Sequence, residues 1–387
     1  MIILDKPYIS ELLQETIIKN NYTVLDTDNI NLLNIKKEIQ IISTQEAITT
    51  AKNDPNNLIY CNSENSINWI NKNLSFTPLP EMINTFKDKI KFRKILKEIY
   101  PDFYFEEIEF KNIDALVSKN LKYPFIIKPS VGFLSIGVHV VEKEEELKKT
   151  IELIKKEISE TRDLFPTEVV DSSMFIIEEI IQGEEYAIDA YYTKNGEPVI
   201  LNILKHPFSS SKDVSDRVYY TSKQIITDQI EKVTHLLREI SKLTDIKNFP
   251  LHLEVRISNN EIVPIEINPM RFAGWCCTDL AYFAYGINIY EYFMEQRTPD
   301  WQEIFNRIED SSYFYFNIAE VPASIDKNTN YEFDYDGFTS NFNCLLEGRK
   351  IDFKTNPLFG IFFAKTDNYA EIEKMLIMDL SRFIKTK

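Results

Sequence analysis

Two short apolar strands that each carry acid on one face constrain this chain most. Residues 251–257 read LHLEVRI and residues 261–269 read EIVPIEINP. Side chains alternate along a strand. His252, Glu254 and Arg256 therefore share one face of the first strand, and Glu266 and Asn268 share one face of the second. The intervening Ser258-Asn259-Asn260 is turn chemistry. Glu254 and Glu266 lie equally far, six residues, on either side of Asn260. A hairpin then sets the two carboxylates opposite each other, about 5 Å apart at Cβ. Like charges so placed repel unless a cation sits between them. A hard divalent ion takes such oxygens, and magnesium held by a few carboxylates and by phosphates is a common nucleotide site. The hairpin is read as a metal clamp formed by Glu254, Glu266 and Asn268, with a solvated sheet face as the plainer alternative.

A second segment, 124–141, reads PFIIKPSVGFLSIGVHVV. A strand ends in Lys128, a loop of small residues follows, and a second strand returns. Backbone N–H groups of Gly132 and Gly137 can approach phosphate oxygens, with Ser130 and Ser135 as further donors. Lys128 supplies a point positive charge. The lysine precedes the loop, so this is not Gly-x-x-x-x-Gly-Lys-Ser/Thr. A third segment, 175–186, reads FIIEEIIQGEEY. Its strand runs into backbone that can pair with an adenine edge. Glu178 can accept from the exocyclic amine, and Glu185 can hold ribose hydroxyls.

Composition narrows the setting. A chain of 387 residues is expected to form two or three domains. Its net charge of −16 argues against a nucleic-acid or anionic-membrane surface, both of which need a basic footprint. The first residues acquire charge too early for a signal peptide, and no apolar run approaches a membrane span. Cys61, Cys276, Cys277 and Cys344 form no metal motif and no disulfide framework, which makes a reducing cytoplasm the expected location. His139, His206, His235 and His252 have no zinc spacing.

Short apolar strands and amphipathic segments alternate over residues 1–80, predicting a small parallel α/β layer. Residues 81–100 read as one long amphipathic helix, 227–243 as another, and Asn195-Gly196 as a hairpin turn. Segments 130–137 and 209–217 are expected to be mobile and to order over nucleotide. A strand at 360–364 and a helix at 369–384 close the chain.

In this order the three segments resemble the ATP-grasp superfamily of carboxylate–amine and amino-acid ligases, over roughly residues 80–300. The resemblance implies mixed α/β and α+β architecture: a pre-ATP-grasp α/β domain (1–80), a two-lobed ATP-grasp fold (81–300, divided near 180) and a C-terminal α+β subdomain (301–387). It implies Lys89 as the first ATP-binding lysine, Glu178, Glu179 and Ile181 at the adenine hinge, and Lys205 facing the phosphates. It also implies ATP with magnesium, or manganese in its place. The loop holds only two glycines where the family is often richer, His252 stands where arginine is common, and Arg271 lies three residues after Asn268.

Residues 269–288 follow the metal ligands directly. Arg271 is placed to hold a substrate carboxylate and His252 to assist, and Trp275 walls the pocket. Thr278 and Asp279 meet an amine, and Arg217 is a further cation on the substrate side. The implied reaction joins a small-molecule carboxylate to an amine through an acyl phosphate, releasing ADP, and a homodimer is one assembly open to such an enzyme. A kinase or carboxylase-like enzyme with another acceptor is the first alternative, and a non-catalytic ATP sensor is the second.

Overall fold

The structure is a computed structural model. It describes all residues except 55, 133–136, 162–170, 211, 212, 214, 260, 323, 324, 326–330 and 387. The serine–glycine loop and the 209–217 segment thus fall partly outside the described residues, and Ser135 and Asn260 fall wholly outside.

The predicted parallel layer is present. β1 (Ile2–Ile3) pairs in parallel with β2 (Val24–Leu25) and with β4 (Tyr60–Cys61), and β2 pairs with β3 (Ile41–Ile42). Helices α1 (Glu11–Lys19) and α2 (Thr44–Asn53) lie in the connections. Ser43 and Glu46 make a reciprocal capping box that starts α2.

The helix expected over 81–100 is broken in two. Asp88 leaves helical geometry (φ −84°, ψ 104°) between α3 (Leu79–Lys87) and α4 (Lys89–Leu96). Its carboxylate accepts from the amides of Ile90 and Lys91. A side chain that caps a helix start favours extended backbone over an unbroken helix. The break sets Lys89 at the first turn of α4.

The next lobe is a four-stranded sheet in the order β5 (Phe105–Glu109), β8 (Asp171–Glu179), β6 (Phe125–Val131), β7 (His139–Val141). It is covered by α5 (Glu144–Thr161) and has its own apolar core.

An antiparallel sheet of eight strands carries the rest. Its strands are β9 (Glu184–Tyr192), β10 (Pro198–His206), β11 (Val218–Ser222), β12 (Phe249–Ser258), β13 (Glu261–Pro269) and β14 (Tyr313–Glu320). After the short β15 (Tyr331–Phe333) come β16 (Cys344–Lys350) and β17 (Leu358–Thr366). The order is β13-β12-β9-β10-β11-β14-β17-β16. Residues 301–387 thus extend the same sheet by three strands and add a second apolar core beneath it. The last helix ends at Ile377 rather than 384, because β18 (Ile384–Thr386) turns back to pair with β15. α6 (Lys223–Thr244) packs on this sheet, and the parallel layer shares its main core. Among the described residues no helix is long and apolar enough to cross a membrane.

Gly183 joins the two sheets. Its φ is +118°, and a methyl group there would lie 2.4 Å from the Ile257 carbonyl oxygen. Gly286 also has positive φ (+69°) but faces open space. Gly183→Ala is therefore expected to cost about 3 kcal/mol or more, and Gly286→Ala about 1 kcal/mol. Urea denaturation of the two variants checks this, and equal losses would contradict the close approach.

Candidate active site

The two acidic strands form the expected hairpin. β12 and β13 are antiparallel, and Glu254 pairs with Glu266 while His252 pairs with Asn268. A bulge follows Glu254, where Val255 pairs with Pro264. The Asn268 amide donates to Glu254 Oε1 at 3.2 Å and to Glu266 Oε1 at 3.3 Å. Asn268 thus bridges both carboxylates from the same strand face.

The two carboxylates are compensated unequally. Lys89 Nζ lies 2.8 Å from Glu266 Oε2. Burial works against charge on Glu266, but Lys89, with Lys128 and Lys87 farther off, holds it well below the usual carboxylate range. Burial also works against the Lys89 ammonium, and Glu266 more than restores it. Among the described residues Glu254 has no such ion-paired lysine or arginine. Burial, then the charges of Glu266, Glu185 and Asp216, push it well above its ordinary value, with Arg271 opposing.

β6 runs on to Val131, so Lys128 lies in mid-strand rather than at its end, and it is buried. It ion-pairs with Glu178 Oε1. Arg93, one helical turn after Lys89 on α4, donates from Nε to Glu178 Oε2 at 2.8 Å. Its Nη1 and Nη2 donate to the Pro264 and Ile265 carbonyls at 2.7 and 3.3 Å, beside the hairpin bulge. Burial disfavours charge on Glu178, yet Arg93 and Lys128 bring its carboxyl down to about 2. Burial lowers Lys128 despite Glu178. Glu178 therefore differs from the open adenine-facing acceptor expected of it. Both its oxygens already hold cations.

Strand alternation corrects Lys205. On β9 the face shared with Glu254 carries Glu185, Ala187 and Asp189. Lys205 pairs with Tyr186, on the opposite face, and its ammonium sits 2.5 Å from Glu184 and over the Tyr186 ring. The neighbouring His206 is on the site face instead, with Nδ1 3.1 Å from Glu185 Oε1. Arg256 Nη2 donates to the other Glu185 oxygen at 3.2 Å, and its Nη1 donates to the Ile181 carbonyl at 3.1 Å. Glu179 accepts from the Tyr104 amide at 3.3 Å. Near the serine–glycine loop, Ser130 Oγ donates to Asp88, and the Gly132 carbonyl accepts from Lys87 Nζ at 3.4 Å. Gly137 re-enters β7 with φ +72°.

Arg271 reaches into the site from the segment after β13. Glu64, in the short helical turn that follows β4, takes its Nε at 3.0 Å and its Nη2 at 2.9 Å, and also pairs with Lys87. His252 Nδ1 is 2.8 Å from Asp189 Oδ1, and its Nε2 is 3.8 Å from Glu254 Oε1. Asp189 Oδ1 also accepts from the Ala273 amide at 2.8 Å. Trp275 follows with φ +50° and is partly buried. Thr278 and Asp279 are buried rather than open to an amine. Asp279 accepts from Tyr290 and from Arg349, each at 2.7 Å. Arg217 points elsewhere, donating to the Leu376 and Met378 carbonyls at 3.2 and 3.0 Å, so it ties β11 to the C-terminal segment.

Residues 121–279 match the ATP-grasp domain family. The chain carries an ATP-grasp domain. A carbamoyl phosphate synthase large chain from Thermoanaerobacter sp. is 24% identical over 192 residues, which is 49% of this chain and 16% of that one. A D-alanine–D-alanine ligase from Petrotoga mobilis is 24% identical over 196 residues, 49% of this chain and 59% of the other. The chain thus spans less than two thirds of the length of these curated relatives. An L-amino acid ligase from Bacillus licheniformis superposes with a TM-score of 0.71 at 16% identity, covering 100% of this chain and 98% of that one. A biotin carboxylase from Campylobacter jejuni, solved with β,γ-ATP, gives 0.66 at 12% identity over 100% and 91%. These structures share the fold of this chain.

Several side chains around the hairpin and the segment that follows it escaped sequence reasoning: Glu64, Lys87, Arg93, Asp189 and Arg349. Glu64 alone had a usable signal, because ligands of open parallel sheets gather at the carboxyl ends of strands. Among the described residues no group of three or more His, Cys, Asp and Glu side chains is placed to hold a metal. A metal at the hairpin would need Asn268 beside its two glutamates. That set fits a hard divalent ion, and Glu254 is the carboxylate left without a cation.

The unequal compensation predicts opposite mutant effects in metal-free buffer. Glu254 is raised in the fold, so its ionisation costs stability as pH climbs past its unfolded value of about 4.3. Glu266 is depressed, so its charge stabilises above that value, and this is lost as pH falls. Glu254→Gln should raise the melting temperature at pH 7 by a few degrees and have no effect below about pH 4. Glu266→Gln should lower it at pH 7, stranding Lys89. Thermal melts in EDTA across pH check both, and shifts of the same sign would refute the assignment.

Proposed function

We propose that this protein is an ADP-forming ligase that activates a small-molecule carboxylate as an acyl phosphate and joins it to an amine of amino-acid or peptide type. One observation carries the reading: within an ATP-grasp domain, Glu254 faces Glu266 across the hairpin with Asn268 between them, while Lys89 lies against the same pair. Magnesium held by Glu254, Glu266 and Asn268 would neutralise phosphate charge when bound, with manganese as the alternative ion. To ligate through oxygen, the Asn268 amide turns over from its present donor pose. Lys89 and Lys128 contribute positive charge where negative charge accumulates on the transferred phosphoryl group. Glu266 and Glu178 fix those lysines beforehand, so little reorganisation is left for the chemical step. Arg271, oriented by Glu64, holds the carboxylate in line.

The substrates are small molecules in this reading and the setting is cytoplasmic. A carboxylase-like reaction is the second reading, favoured by the carbamoyl phosphate synthase and biotin carboxylase likenesses.

Two measurements test the proposal. Phosphate release screened over amino-acid pairs, with mass spectrometry of the products, should give an amide and one ADP per amide. A phosphorylated product, or turnover that needs bicarbonate, would favour the other acceptors, and nucleotide binding without any turnover would favour a sensor. Lys128→Ala should weaken ATP binding by about tenfold or more, since a charge-assisted contact is lost. Unchanged affinity by calorimetry would remove Lys128 from the site.

A further inference from the structure

The segment after β13 is held in a conformation that its residues do not favour. Trp275 and Cys276 are consecutive non-glycine residues with φ +50° and +55°, and Met270 before them has φ +67°. Left-handed backbone costs an L-residue about 1–2 kcal/mol, so successive cases persist only where the surroundings hold them. Upstream the hold is Asp189, whose Oδ1 takes the Ala273 amide. Downstream the backbone contributes two turns, from Cys277 N to Gly274 O at 3.0 Å and from Asp279 N to Cys276 O at 2.9 Å.

The other downstream hold comes from far along the chain. Arg349 stands on β16, the edge strand of the large sheet. Its Nη1 lies 2.8 Å from Cys276 Sγ and 2.7 Å from Asp279 Oδ2, across 73 and 70 residues of sequence. Its Nε meets Glu347, and its guanidinium lies over the Phe363 ring at 4.7 Å. Arg349 and Asp279 are both buried, Asp279 completely. The other Asp279 oxygen takes the Tyr290 hydroxyl. A guanidinium is rigid and planar, and so fixes two partners at set directions from one anchor. Trp275 sits between the Asp189 and Arg349 holds, four residues after Arg271.

We propose that Arg349 is a positioning residue for the substrate side of the site: it clamps Cys276 and Asp279 so that the left-handed turn presents Trp275, and Arg271 before it, to the substrate. This deepens the ligase reading and rests on its assignment of residues 270–279 to the substrate. It gives the C-terminal segment a role in specificity, although that segment lies outside the residues matched to the ATP-grasp domain.

The test uses the full chain with Trp69→Phe and Trp301→Phe, which leaves Trp275 as the sole tryptophan of three. Acrylamide quenching of Trp275, Mg-ADP affinity by calorimetry, and the KM and kcat for amino acids in the phosphate-release assay are compared across variants. Arg349→Met strands Asp279 in the core, where an unpaired buried charge is costly. The double variant Arg349→Met/Asp279→Leu removes both charges and keeps the fold testable. Both should change the Trp275 quenching constant at least about twofold, raise KM about tenfold (about 1.4 kcal/mol) with a smaller change in kcat, and leave Mg-ADP affinity within about twofold. Arg349→Lys should recover part of the Trp275 signal. A folded double variant with parental quenching and KM would overturn the proposal and leave Arg349 a plain tether. Quenching needs no substrate, so it decides the positioning role even if no amino acid proves to be turned over.

Discussion

Two carboxylates held face to face at a sheet edge repel, and the rest of this site is arranged around that repulsion. Glu254 and Glu266 cannot move apart, because they are register partners in a ladder that continues on both sides. The fold cancels one charge and leaves the other. Lys89 is delivered to Glu266 by the helix that restarts at Asp88. Glu254 meets the imidazole edge of His252 and the shared amide of Asn268. One carboxylate of the pair is satisfied and the other is not, and an added positive ion would offset the charge of the second.

Three of the less exposed cations of this acidic chain, Arg93, Lys87 and Arg271, stand where its pieces meet. Arg93 spans from Glu178 on the smaller sheet to the carbonyls beside the hairpin bulge on the larger one. Glu64 reaches from the parallel layer to Arg271 after the hairpin and to Lys87 before the helix break. Buried ion pairs of this kind add little net stability, because desolvation offsets much of the attraction. Their directionality is more useful: each fixes a lysine or arginine at a set place relative to elements distant in sequence. The same groups are the ones an anionic ligand would engage, so stability and ligand binding compete for the same charges.

What could be read from the sequence was what alternation and counting determine. The facing of Glu254 and Glu266 followed from equal spacing about a turn, and the parallel layer followed from alternating strands and helices. Position along the chain failed where the third dimension decided. Lys205 lies at the expected strand end but on the wrong face, one residue from His206, which is on the right one. The break at Asp88 was hidden because apolar spacing continues through it, and only the cap distinguishes two helices from one. Asp279 and Arg217 looked available because their partners, Tyr290 and Arg349 for the first and the carbonyls near residue 377 for the second, are brought to them by packing, which also buries Thr278. Arg349 itself carries no local signal, since it acts from an edge strand whose place in the sheet is set by the whole C-terminal segment.

The central claim is that the hairpin carboxylates bind a divalent ion together with nucleotide phosphate. The most direct measurement is the magnesium dependence of ADP affinity, by calorimetry in magnesium and in EDTA, for the natural protein and for Glu254→Gln. The account predicts that magnesium tightens ADP binding at least about tenfold in the natural protein, and that this gain is largely lost in the variant while its affinity in EDTA is unchanged or improved. An equal magnesium effect in both proteins would contradict it and place the metal elsewhere.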